Sequence, residues 1–115
     1  MHKLIILLPG SEGLPADWHV FLRQAELLPG LRREATSHVL HHLYGEADYS
    51  IIHELFFDDL SALEKALSSD LGARAAQTLH KITAGHASLL VADHKEDALE
   101  NIRKFTHSGG EAASE

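Results

Sequence analysis

Three short stretches of this chain are apolar at consecutive positions rather than at alternating ones. They are Leu4 to Leu8, reading LIILL, the segment YSIIHELFF from Tyr49 to Phe57, and Leu89-Leu90-Val91. In the middle segment, Ile51, Leu55 and Phe57 share one parity and Ile52 and Phe56 the other. A β-strand sends successive side chains to opposite faces, so each of these strands demands cover on both sides. That demand limits the folds open to the chain.

The intervening segments supply part of the cover. HKLIILLP at 2–9 ends in Pro-Gly and reads as a buried strand. From Pro15 to Leu28, the residues Trp18, Phe21, Leu22, Ala25 and Leu28 make one helical stripe, with Pro15 suited to the first turn. The stretch from Leu31 to Leu43 alternates weakly and is expected to be a strand, paired across the turn Gly45-Glu46-Ala47-Asp48 with a strand from Tyr49 to Phe57. Leu60, Leu63, Leu67, Leu71, Ala75, Leu79 and Ile82 then continue a second helical stripe. Ser61 and Glu64 have capping-box spacing there, and Ser68-Ser69-Asp70 is expected to break the helix in two. A last strand is expected from Ala87 to Ala92.

The order β-α-β-β-α-β predicts an α+β, ferredoxin-like antiparallel sheet with both helices on one face. It forms one domain over residues 1–93, followed by a helical extension over 94–106, with Leu99, Ile102 and Phe105 on one side, and a disordered tail over 107–115. Two helices cover one sheet face only, and the other would expose Leu and Ile to water in a monomer. A homodimer joined through the open sheet face is therefore expected.

Composition excludes several classes. The 115 residues carry 17 acidic and 10 basic side chains, a formal charge of −7, which disfavours nucleic acid or an anionic membrane as partner. Cysteine is absent, so disulfides, thiolate metal sites and thiol nucleophiles are ruled out. LIILL is too short to span a bilayer and lacks the length of a signal-peptide core, so a soluble, cytoplasmic protein is expected. No GxSxG, P-loop or GxGxxG pattern supports a hydrolase, kinase-like or dinucleotide-binding reading.

The segments LPGLRRE (28–34), YSIIHELFFDDLSALEKAL (49–67), DLGARAAQTL and AGHASLLVAD resemble the EthD family of the dimeric α+β barrel superfamily. The resemblance covers about positions 2–93 and is most specific from Ile51 to Leu67. It implies a ferredoxin-like protomer whose sheet closes a dimeric α+β barrel with that of a second copy. It also implies a small apolar or aromatic oxygenated metabolite, handled by oxidoreductase- or isomerase-type chemistry without metal or organic cofactor. Members commonly end the first helix in a His-Gly-Pro-Leu-like motif whose histidine lines the pocket. Here the helix runs FLRQAELLPGL, and His19 lies out of register with that role.

His53 and Glu54 are the polar residues of the most apolar strand, so one should face the helices and the other the dimer sheet. His53 is the candidate acid/base for proton transfer beside a carbonyl, with His38 and Tyr49 assisting and Trp18 and Glu54 lining the pocket between helices and sheet. The structural alternatives are a core role for Trp18 and a pairing of Glu54 with a basic side chain such as Arg32 or Arg33. His38, His41 and His42 invite a metal reading, but strand geometry puts His41 opposite the other two. The competing functional class is a non-catalytic dimeric accessory protein, favoured if the helix–sheet interface around His53 is filled. Light scattering at micromolar concentration is expected to give the mass of a dimer; a monomer there removes the two-faced sheet reading.

Overall fold

A computed structural model describes residues 1–10 and 13–97. Its elements are β1 (His2–Pro9), α1 (Trp18–Glu26), β2 (Arg33–His38), β3 (Tyr49–Phe57), α2 (Leu60–Ser68), α3 (Asp70–Ile82) and β4 (Ser88–Asp93). The four strands form one antiparallel sheet in the order β2-β3-β1-β4, the α+β ferredoxin-like arrangement. Both central strands are among those apolar on both parities.

Register assigns every side chain to a face. Leu4, Ile6 and Leu8 of β1 lie level with Leu55, His53 and Ile51 of β3, and all six are buried beneath the helices. Trp18, Phe21 and Ala25 of α1, with Leu63, Ala66, Ala75 and Leu79 of α2 and α3, close over them. The opposite face presents Ile5, Leu7, Ile52 and Leu90, with Glu54 among them. No helix covers this side among the described residues. On β4, Leu89, Leu90 and Val91 are 52%, 50% and 51% exposed, so this strand is bare on both faces.

Some boundaries differ from expectation for identifiable reasons. The β2–β3 register runs from Arg33↔Phe56 to His38↔Ile51. Extending it to Leu43 would require Glu46 as partner, and Glu46 lies in the turn beside Gly45, whose φ is +101°. The strand therefore stops at His38, leaving Leu40, Leu43 and Tyr44 exposed. Helix α1 starts three residues after Pro15, whose carbonyl accepts from Trp18 N–H at 3.1 Å. Asp59, not Ser61, caps α2, its carboxylate accepting from Ala62 N–H at 2.8 Å.

The expected break in the second helix is present. Ser69 caps α3 by accepting from Gly72 N–H at 3.0 Å. Residues 94–97 are irregular, and 98–115, which hold the rest of the expected extension and tail, lie outside the described residues.

The break also explains Gly72. A Cβ there would sit 2.2 Å from the carbonyl oxygen of Ala66 and 2.7 Å from that of Leu67, so only glycine lets α3 start against the end of α2. Gly72→Ala should lower unfolding stability by about 2 kcal/mol or more in urea denaturation, while Gly10→Ala, which meets no neighbour and strains only its φ of +88°, should cost about 1 kcal/mol.

Candidate functional site

His53 is a fully buried polar side chain in the core, and it has a partner for each ring nitrogen. Its Nε2 lies 2.7 Å from the Glu34 carboxylate and its Nδ1 lies 2.7 Å from Thr36 Oγ1. A carboxylate only accepts, so Nε2 carries the proton that bonds Glu34. In the neutral ring, Nδ1 then accepts from the Thr36 hydroxyl. Both partners come from β2, where the spacing of REATSH puts Glu34, Thr36 and His38 on one parity.

The remaining contacts of the imidazole are aromatic. Trp18 meets it edge-on at 5.2 Å between centroids, and Phe21 stands at 6.1 Å. Both aromatics come from α1, so the expected pocket wall at Trp18 is packed core, 4% exposed. A gap of about 50 Å³ does lie between sheet and helices, but it is lined by aliphatic residues, Phe21 and Gly72 and not by His53. It is smaller than a metabolite pocket, which runs to about 300 Å³ or more.

A roomier opening than this gap sits past the end of β2. A cleft of about 370 Å³ is lined by His38, His41, His42, Asp48, Tyr49 and Ile51 with neighbouring backbone. It brings together two of the expected site residues, His38 and Tyr49, and adds the two turn histidines. Buried Ile51 forms part of its wall and stands between Tyr49 and His53 on the same face of β3. Among the described residues no group of three His, Asp or Glu side chains is placed to hold a metal ion.

Glu54 belongs to neither place. It points to the open sheet face and accepts from Lys3 Nζ, while Arg33 stacks 4.1 Å from the centre of the Phe56 ring beside it. At the sheet margin, a hydrogen bond from His94, then the charges of His94 and Arg33, hold Glu96 below its ordinary carboxylate range. Arg32 does the same for Asp58, first through its hydrogen bonds.

Sequence reading missed Glu34 and Thr36, which supply both bonds to His53. The available signal was their shared parity with His38, two and four residues ahead of it in REATSH.

Comparison with known proteins places the fold. No protein-family model and no curated protein matches the chain. Among solved structures, an EthD family protein from Bacillus halodurans superposes with a TM-score of 0.71 at 25% identity, covering 83% of this chain and 99% of that one. A dimeric ferredoxin-like protein of unknown function from a Jannaschia species gives 0.56 at 18% identity over 81% and 97%. SnoaB, a cofactor-independent oxygenase from Streptomyces nogalater, gives 0.54 at 17% identity over 85% and 95%. The resemblance to the EthD family holds in three dimensions.

Long-range proton–nitrogen spectra at mildly alkaline pH should show His53 as the Nε2–H tautomer, set by Glu34. A ring found as Nδ1–H, or exchanging between tautomers, contradicts the bonding described.

Proposed function

Starting from an EthD-like, ferredoxin-like protomer, we propose that this chain binds a small apolar or aromatic oxygenated molecule in the cleft at the β2–β3 turn. The observation that carries this reading is the cleft of about 370 Å³, into whose lining the fold brings His38 and Tyr49. Imidazole and phenol groups beside Val39, Leu40 and Ile51, in a wall that also carries His41, His42, Asp48 and Ser50, suit a ligand with one or two oxygens on a flat hydrocarbon frame.

The working unit in this reading is a homodimer that buries Ile5, Leu7, Ile52 and Leu90 through the open sheet face. The Lys3–Glu54 pair would then lie inside the interface, where paired charges set register more than they add affinity. Solved neighbours described as dimeric support this arrangement. Proton transfer of an oxidoreductase or isomerase type, with no metal or organic cofactor, is the chemistry proposed. That one neighbour is a cofactor-independent oxygenase supports the proposal only at the level of a shared fold.

A second reading has its own observation. His53 is 0% exposed and wrapped by Trp18 and Phe21, so it touches no ligand in the cleft directly. That favours a non-catalytic accessory protein that holds or delivers its ligand.

Titration of the protein with a panel of small phenols and aromatic ketones, followed by amide chemical shifts, tests both. Binding should move the signals of residues 38–42 and 48–51, and Tyr49→Phe or His38→Ala should each weaken it about fivefold to tenfold. Shifts confined to other regions defeat the cleft assignment. Binding without turnover of any panel compound leaves the accessory reading in place, whereas turnover defeats it, and turnover that survives His53→Gln unchanged removes His53 from the chemistry.

A further inference from the structure

The sequence holds no motif of a serine-type hydrolase, yet the sheet assembles carboxylate, imidazole and hydroxyl in the order such an enzyme uses. That constellation is recognised by geometry and roles, not by sequence spacing. We propose that Thr36 is a base-activated hydroxyl nucleophile that takes an acyl group from a small ester.

Four observations support it. The two hydrogen bonds are both 2.7 Å, and their direction follows from Glu34 being acceptor-only. His53 is fully buried against Trp18 and Phe21 with both ring nitrogens bonded, which holds the ring toward Thr36. The hydroxyl end of the chain is the accessible end, because Thr36 is exposed while His53 is buried. Lastly, β2 is an edge strand, and Val39 N–H donates to Ser50. The alternation of an antiparallel ladder then directs the Thr36 N–H outward from the edge, available to an oxyanion formed at its own side chain.

The step balances without a co-reactant beyond ester and water. Thr36 Oγ1 bonds to the ester carbonyl carbon as its proton passes to His53 Nδ1, and the Glu34 carboxylate stabilises the imidazolium. The tetrahedral intermediate collapses by breaking the bond to the alcohol oxygen, which takes the proton from Nδ1. Water then adds to the acyl-threonine with His53 again as base, releasing the acid and restoring the hydroxyl.

The nucleophile stands apart from the cleft assignment, and either can fail alone. The test incubates the full chain with p-nitrophenyl acetate at mildly alkaline pH, follows p-nitrophenolate release, and locates acetyl groups by peptide mass spectrometry. The expected result is an acetyl group on Thr36, retained at the same position in Thr36→Ser and absent from that peptide in Thr36→Val. His53→Gln should slow acylation of Thr36 about a hundredfold or more. Because His53→Gln can fail to fold, Glu34→Gln at the partly exposed end of the chain is the second variant, with an expected loss of at least about tenfold. Acetyl groups found only on lysines, on histidine rings or at the N-terminus overturn the proposal. So does labelling of Thr36 at an unchanged rate in folded Glu34→Gln.

Discussion

Among the described residues, a single helix layer against a sheet apolar on both faces is the constraint on which the rest of this structure depends. The helices settle over β1 and β3, where Leu4, Ile6, Leu8, Ile51, Leu55 and Phe57 are buried. The two edges and the whole opposite face are left to other arrangements. On β4 that leaves leucine and valine side chains half in water. On β2 it allows polar residues to stand on the helix side of the sheet, and these complete the bonding of His53.

His53 shows how the margin of the helix layer becomes useful. A fully buried imidazole costs free energy unless both nitrogens are satisfied. Had β2 been covered as deeply as β1, Glu34 would have been a desolvated carboxylate and a net liability. Its side chain keeps 21% exposure, enough to remain solvated while holding the ring. The same bonds pin β2 to β3 at a pair where side chains approach most closely.

Much of the fold was legible because the patterns were local. Tyr49 to Phe57 reads as a strand from its own residues, and Ser68-Ser69-Asp70 announces a helix break through side chains that cap the next helix. The limits of β2 were not, since they depend on which residues of β3 remain to pair with, and Glu46 in the turn is not one of them. The site divided along the same line. His53 was identifiable as a polar intrusion in an apolar strand, and parity assigned it and Glu54 to opposite faces. Its partners were not, because Glu34 and Thr36 meet it only through a register no local pattern encodes. Trp18 followed its stripe into the core, while His38 and Tyr49 met at the mouth of the hairpin.

The strand order carries a further consequence for how the chain assembles. β1 comes first in sequence but lies inside the sheet, between β3 and β4. During synthesis from the N-terminus it therefore emerges long before either neighbour, with LIILL unpaired along both edges. β2 and β3 can close as a hairpin on their own, but β1 acquires its second neighbour only when residues 88–93 are made. Lys3 and Pro9-Gly10 bound the interval of apolar strand, and one of its edges stays unpaired until β4 is made.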